Sequence, residues 1–197
     1  TTSDFGTAGK LQEGTTVAHE TAMLKDGRHF LAIVRAGVDP DLVATCGAQE
    51  RNLVQAAIRT GYKWNTHGLT DRVAAFLSKY EPSQQTLNSA VRDAITSREF
   101  EIALLLFEAG AELENPYYYW GTPLHLVLST STNGRKGEQD AYELLMKWIE
   151  NQGVDIAAAQ ADVDAWWAAK RAAPIGSDGG HEHRMRERAK AEGKDVA

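Results

Sequence analysis

Cysteine is almost absent from this sequence of 197 residues, which contains Cys46 alone. A single thiol excludes an intramolecular disulfide and a zinc site built on several cysteine ligands. A reducing, cytoplasmic compartment fits this composition best. No His adjoins Cys46 in the sequence to activate it as a nucleophile, and residues 44–47 are predicted to form a loop after an Asp-Pro-Asp turn.

Long apolar runs and an excess of positive charge are also missing. No apolar run approaches the roughly 20 residues that cross a bilayer, and the first residues lack the charged and apolar regions of a signal peptide. The sequence has 21 Lys and Arg against 27 Asp and Glu, for a net charge of −6. We therefore expect neither a nucleic acid nor a membrane partner, because nucleic acid binding needs clustered Lys and Arg. The acidic balance favours a basic protein partner through electrostatic steering.

The residue patterns of cofactor and metal sites are missing as well. The glycines form neither G-x-x-x-x-G-K-S/T nor G-x-G-x-x-G, so we expect no phosphate-binding loop. His181 and His183 have a spacing that could hold a metal, but no third ligand lies nearby and zinc needs three or four. The carboxylate pairs Asp39–Asp41 and Asp162–Asp164 are interpreted as turn and helix-start residues. We therefore predict that the protein is not an enzyme and holds no cofactor or metal.

The sequence does contain short apolar helices that end at glycine. Residues 30–36 are followed by Gly37-Val-Asp, residues 101–109 by Gly110-Ala-Glu, and a helix of the last third by Gly153-Val-Asp. Glycine after the last helical turn supplies the left-handed conformation that other residues resist. This repeated pattern predicts that several helices end in the same way, at a glycine in the left-handed conformation.

Two segments that precede such helices share a second motif. Residues 121–126 read Gly-Thr-Pro-Leu-His-Leu, and residues 14–19 place Gly, Thr and His at the same positions, with Val17 in place of proline. With a turn and two helices per unit, this pattern resembles the ankyrin repeat and its T-P-L-H-x-A motif. The resemblance implies that the Thr and His of each motif bond to each other and to backbone groups. We therefore interpret His19 and His125 as structural residues.

The resemblance covers residues 14–156 as about four units. Equivalent positions at Gly37, Tyr80, Gly110 and Gly153 are spaced 43, 30 and 43 residues apart, against an ideal of about 33. The second unit departs most: its inner helix is predicted over residues 53–58 and to end near Gly61, followed by a long turn that contains Trp64.

These observations predict an all-α fold, a short ankyrin-type helical solenoid with a C-terminal capping helix. Residues 1–13 are a loose lead-in, 14–156 the divergent repeat domain, 157–173 the capping helix, and 174–197 a linker and charged tail. Within the last outer helix, Trp148 is expected in the core. Trp166 and Trp167 are adjacent, so at least one of them is expected to face away from the last repeat.

The most informative functional feature is an aromatic run before the T-P-L-H motif. The resemblance places this run in the turn between the third and fourth units, and that turn contributes with the inner helices to the concave binding surface of ankyrin arrays. Tyr and Trp dominate interface hot spots because they bury large areas at small entropic cost. The predicted partner-binding residues are Tyr117, Tyr118, Tyr119 and Trp120, with Glu114 and Trp64.

The sequence therefore favours a protein–protein interaction module that binds through its concave turn and inner-helix face. Its acidic turn residues, Asp39, Asp41, Glu112 and Glu114, would steer a basic partner. A more specific form of this hypothesis is an inhibitor or immunity-type factor. Two alternatives stay open: a subunit that self-associates through Trp166, Trp167 and the tail, and, as the weakest, a metal-binding protein or enzyme that uses the tail histidines.

Overall fold

The computed structural model describes residues 16–23, 28–46, 49–64, 68–115, 121–130, 132 and 137–172. Helices dominate this part of the chain, and one small antiparallel sheet accompanies them. The helices are α1 (Val17–Met23), α2 (Arg28–Ala36), α3 (Leu53–Trp64), α4 (Leu69–Lys79), α5 (Gln84–Thr96), α6 (Phe100–Glu108), α7 (Pro123–Ser129), α8 (Glu138–Asn151) and α9 (Ile156–Ala172), and the strands are β1 (Val43–Cys46) and β2 (Gln49–Asn52).

Polar side chains cap the starts of several helices. The Ser83 and Thr122 hydroxyls accept hydrogen bonds from backbone N–H groups three residues later, at the starts of α5 and α7. Asp155 does the same for α9, where its Oδ1 lies 3.0 Å from the backbone nitrogen of Ala158. Such caps satisfy N–H groups that have no partner inside the helix.

Glycines end three of the helices, as the sequence predicts. Gly37, Gly110 and Gly153 follow α2, α6 and α8 with φ values of +95°, +110° and +84°. Residues with a Cβ adopt this left-handed region at a cost, which explains why glycine occupies the same place after three different helices.

The helices contact one another in two rows. In one row α1 contacts α3, α3 contacts α5, α5 contacts α7, and α7 contacts α9. In the other row α2 contacts α4, α4 contacts α6, and α6 contacts α8. We call these the odd row and the even row. One continuous core runs along both rows, and its largest fully buried side chains include Phe30, Phe76, Phe100, Ile58, Ile102 and Leu145.

Aromatic and cationic side chains connect neighbouring helices of the even row. The Phe107 and Trp148 rings stack with centroids 5.4 Å apart, so Trp148 packs against the core as predicted. At the end of α2, Lys79 Nζ donates to the Val34 carbonyl at 2.6 Å and to the Arg35 carbonyl at 2.7 Å. A cation is favourable there because the last carbonyls of a helix lack intrahelical partners and form its negative end.

The structure corrects two predictions for residues 43–64. Of residues 44–47, predicted to form a loop, residues 44–46 lie in β1, which pairs with β2 from Val43 opposite Asn52 to Cys46 opposite Gln49. The fold is therefore mostly helical rather than all-α. Helix α3 also continues through Gly61 to Trp64, so Trp64 lies at a helix end and not in a long turn. An interior glycine costs a helix only about 1 kcal/mol, which neighbouring packing can offset.

A third correction concerns the two tryptophans of α9. Trp167 Nε1 donates to the Ser129 hydroxyl at 3.0 Å, and the Trp166 ring lies 6.5 Å from the His125 ring. The two indoles pack edge to face with centroids 4.7 Å apart. Both tryptophans therefore lie against α7, and the expectation that one faces away is wrong. Broad rings reach the same neighbour from adjacent helix positions.

A helix that crosses a bilayer needs roughly 20 predominantly apolar residues. In the described part of the chain, no helix has the length and apolar character needed to cross a bilayer.

Replacing Gly121 with alanine tests the close approach of backbone to side chain before α7. Gly121 has φ +78°, and a Cβ there would collide with Nδ1 of His125. We expect Gly121→Ala to lower the free energy of unfolding by about 2–4 kcal/mol, the sum of the left-handed strain and the steric conflict. Gly137→Ala is the matched control, since Gly137 has φ +83° with nothing within 4 Å of a Cβ. Equal losses in urea unfolding would contradict the predicted conflict.

Candidate functional site

The start of the odd row is fixed by a buried histidine. His19 is fully buried, with Nδ1 2.8 Å from the Thr16 hydroxyl and Nε2 2.9 Å from the Arg51 carbonyl oxygen. A carbonyl can only accept, so Nε2 carries the proton and Nδ1 accepts from Thr16. Burial lowers the pKa of His19 below its usual 6.5, although the Arg51 carbonyl and the Glu20 carboxylate oppose this shift. The imidazole is therefore a neutral connection between α1 and β2.

The start of α7 has a related arrangement with a different acceptor. The Thr122 hydroxyl accepts from the His125 backbone N–H at 3.2 Å, and His125 Nε2 lies 3.0 Å from Asp162 Oδ2. Asp162 lies in the middle of α9, so the interpretation of Asp162 and Asp164 as helix-start residues is wrong; Asp155 has that role. His19 thus bonds to its threonine and to a backbone carbonyl, as the resemblance implies. The His125 side chain departs from this expectation, because it bonds to a carboxylate and its buried Nδ1 has no hydrogen-bond partner among the described residues.

The start of α3 is held by a reciprocal pair of amide side chains. Asn52 Oδ1 accepts from the Gln55 backbone N–H at 2.9 Å, and Gln55 Oε1 accepts from the Asn52 backbone N–H at 3.1 Å. This is a capping box, in which the side chain of each residue accepts a hydrogen bond from the otherwise unpaired backbone N–H of the other. It joins the end of β2 directly to the first turn of α3.

The same two amides also bond to α5. Asn52 Nδ2 donates to the Thr86 carbonyl at 3.2 Å. Gln55 Nε2 donates to the Ser89 carbonyl at 3.3 Å and to Asp93 Oδ2 at 3.2 Å. Consequently β2, α3 and α5 form one hydrogen-bonded unit.

A groove runs beside this unit, over the β1–β2 hairpin and the odd row. It consists of three adjoining cavities of about 390, 240 and 320 Å³. The first lies between α5 and α7, the second between the hairpin and α5, and the third between β2, α3 and α5. The residues that line more than one of them are Glu50, Arg51, Gln55, Gln85, Ser89 and Arg92.

One stripe of α5 side chains lines the whole groove. Gln85 and Ser89 border the first two cavities, and Arg92 borders the first and third. Their spacing of four and three residues places them on one face of the helix. Among the described residues, the Gln85 amide and the Ser89 hydroxyl have no hydrogen-bond partner, whereas Asn52 and Gln55 beside them are fully engaged. The groove therefore presents polar groups that the fold itself does not use.

The charge along the groove is predominantly negative. The lining carboxylates are those of Asp41, Glu50, Asp93 and Glu112, and the lining cations are those of Arg51 and Arg92. Arg92 contacts Asp93 with 3.3 Å between the charged atoms.

Asp41 stays ionised at the edge of the groove. Partial burial alone would raise the pKa of Asp41, but hydrogen bonds from the Ser83 backbone N–H and from the Thr86 and Ser83 hydroxyls outweigh this effect and lower that pKa. Asp41 also receives a turn bond of its own, since its backbone N–H donates to Asp39 Oδ1 at 2.9 Å. Asp39 and Asp41 therefore have the turn role predicted for them.

The predicted partner-binding residues are distributed unevenly over the structure. Glu114 is exposed in the turn after α6, and its neighbour Asn115 lines the first cavity. The side chain of Trp64 and the aromatic run of Tyr117, Tyr118, Tyr119 and Trp120 lie outside the described residues. So do His181 and His183; within the part of the chain that the structure does describe, no group of three potential metal ligands occurs.

Sequence reasoning missed the polar stripe and the amides behind it. Two signals were present: Asn52 followed three residues later by Gln55 is the spacing of a capping box, and Gln85, Ser89 and Arg92 have helical periodicity. The hydrogen bonds from Asn52 and Gln55 to α5 join residues that are more than 30 positions apart in the chain, so no local pattern indicates them.

Comparison of the chain with protein-family models, with curated proteins and with solved structures gave no match.

The neutral state of His19 predicts a pH dependence of stability. The unfolded chain binds a proton near pH 6.5 that the folded state resists, so the free energy of unfolding should fall as the pH drops through 6.5. The slope has an upper bound of about 1.4 kcal/mol per pH unit for one group. Urea unfolding at neutral and mildly acidic pH would measure it. His19→Gln, which removes the titration, should lower stability at neutral pH but flatten this dependence; an unchanged slope would contradict the prediction.

Two glutamines near the groove should differ sharply in their effect on stability. Gln55→Ala leaves the Asn52 N–H without its partner and removes the side-chain bonds to Ser89 and Asp93 of α5, so we expect a loss of about 1–3 kcal/mol in the free energy of unfolding. Gln85→Ala removes no intramolecular bond of the described residues and should change stability by less than about 0.5 kcal/mol. Urea unfolding of both variants measures the difference. A large loss for Gln85→Ala would mean that the stripe is part of the fold.

Proposed function

We propose that this chain is a short ankyrin-type solenoid that binds a protein partner in the groove over the hairpin and the odd row. The order of contacts supports the solenoid, because each helix contacts the helix two places further along the chain in both rows. The Thr16–His19 pair and the Thr122 cap of α7 support it as well. In such an array each unit buries its apolar face only by stacking on the next.

The main support for a binding function is a difference between polar side chains: some form hydrogen bonds within the fold, and their neighbours do not. Asn52 and Gln55 use their amide groups within the fold, and Asn88 bonds to Glu112 and Gln84. On the neighbouring positions of the same surface, the Gln85 side-chain amide and the Ser89 hydroxyl have no hydrogen-bond partner among the described residues. Amide and hydroxyl groups that both donate and accept are suited to the peptide groups of a bound polypeptide.

The length and charge of the groove indicate the kind of partner. Three adjoining cavities suit a polypeptide segment rather than a single small molecule. The excess of carboxylates favours a segment with basic residues and raises the association rate at low ionic strength. The groove walls are fixed by the bonds between β2, α3 and α5, so binding need not order them first.

An inhibitor or immunity-type factor is the most specific form of this proposal. A rigid surface that engages an extended basic segment of an enzyme could block it without any chemistry of its own. Self-association through α9 receives less support, because Trp166 and Trp167 are already engaged with α7.

Affinity capture from a lysate of the source cell, read by mass spectrometry, tests the proposed surface. A groove variant, Gln85→Arg with Ser89→Arg, should lose a partner that the wild type retains, because it adds bulk and positive charge where a basic segment would lie. The control, Gln139→Arg with Gln152→Arg, adds the same charge at exposed positions in α8 and directly after its end, and should retain the partner.

A third variant separates the groove from the aromatic run. Tyr117→Ser, Tyr118→Ser and Trp120→Ser together should weaken capture if the turn before α7 contributes to the interface. Circular dichroism establishes that all variants remain folded. A partner that the groove variant retains in full would contradict the proposed location, and the absence of any captured partner would count against the binding function.

A further inference from the structure

The cavity between α5 and α7, which we call the α5–α7 cleft, has an apolar floor beneath a polar rim. Pro123 and Leu126 of α7 are buried and form the floor. The rim consists of α5 side chains and of the turn after α6; it includes Gln84, Asn88, Glu112 and Asn115. With a volume of about 390 Å³, the cleft can hold one long side chain of a partner.

The Glu112 carboxylate is held in a fixed position on this rim. Asn88 Nδ2 donates to Glu112 Oε2 at 3.0 Å, and the Glu112 backbone N–H donates to Asn88 Oδ1 at 2.8 Å. Gln84 Nε2 donates to Asn88 Oδ1 at 3.0 Å and to the Gly110 carbonyl at 2.8 Å, which restrains the Asn88 side chain. A carboxylate that is already positioned loses little conformational entropy when it binds a cation.

Glu112 nevertheless has no cationic partner in the described part of the chain. The other charged residue that lines the cleft, Arg92, contacts Asp93 and so already has a counter-ion. Two oxygen atoms remain as acceptors. Glu112 Oε1 is available because Asn88 bonds to Oε2, and the side-chain oxygen of Gln84 is available because its amide bonds through Nε2.

We propose that the α5–α7 cleft receives an arginine side chain of the bound segment. The aliphatic stem would lie on Pro123 and Leu126, and the guanidinium would bond to the Glu112 carboxylate and to the side-chain oxygen of Gln84. Arginine fits better than lysine because its planar fork of five donors can serve several acceptors at once. This inference rests on the proposed binding function, and it names the feature of the partner that the groove recognises.

Titration of the full chain with small probes tests this proposal without a partner. The probes are N-acetyl-arginine N-methylamide and the corresponding norleucine and glutamate derivatives, followed by ¹⁵N–¹H correlation spectra. The arginine probe should shift the resonances of Asn88, Glu112 and Leu126 with the weak affinity of a fragment. The norleucine and glutamate probes should bind at least about fivefold more weakly, which corresponds to one partly exposed ion pair of about 1 kcal/mol.

Two variants establish the role of the carboxylate. Glu112→Gln should weaken arginine binding about fivefold, whereas Glu108→Gln, an exposed carboxylate at the end of α6, should leave it unchanged. The backbone spectra of both variants show whether they stay folded. Equal binding of the norleucine probe, or full binding by folded Glu112→Gln, would overturn the proposal.

Other occupants of the cleft give different results. Shifts of the same resonances on raising the protein concentration without probe would assign the cleft to a second copy of this chain and overturn the proposal. No shift at the highest soluble probe concentration would also overturn it. If the groove variant loses its captured partner while the arginine probe does not bind, only this inference fails; if the probe binds but no partner is captured, the proposed function fails instead.

Discussion

Hydrogen bonds from buried polar side chains to the backbone of the next element hold the odd row together. His19 bonds to the Arg51 carbonyl, Asn52 to the Thr86 carbonyl and Gln55 to the Ser89 carbonyl. Helices α1 and α7 have only seven residues each, which is too short for independent stability in water. Such helices persist because neighbours bury their apolar faces, and the polar cross-links determine how each pair is placed on the next.

The same cross-links shape the surface available to a partner. By joining β2, α3 and α5, they fix the distance between the hairpin and the odd row and so create the groove. Some polar side chains of this region form hydrogen bonds within the fold, whereas the side chains of Gln85 and Ser89 line the groove without such bonds among the described residues. The stability of this region and the polar groups on its surface therefore depend on neighbouring residues of β2, α3 and α5.

The far end of the odd row is built differently. There His125 bonds to a carboxylate of α9 instead of a backbone carbonyl, and Trp166 and Trp167 pack over α7. An aspartate and two indoles of α9 thus contact α7, which leaves both α9 tryptophans engaged within the chain.

The sequence by itself determined the features that arise from neighbouring residues: the helical character, the glycine ends at Gly37, Gly110 and Gly153, the Thr122 cap and the interior position of Trp148. Local conformational preference and periodicity suffice for these. Only the tertiary structure decided that residues 43–46 pair with residues 49–52 as strands and that Trp166 and Trp167 both face α7. It also decided that Gln85 and Ser89 line a groove while the Gln55 side chain bonds within the fold. The reason is physical: a strand needs its partner and an amide needs its acceptor, and here the acceptors lie more than 30 residues away in the chain.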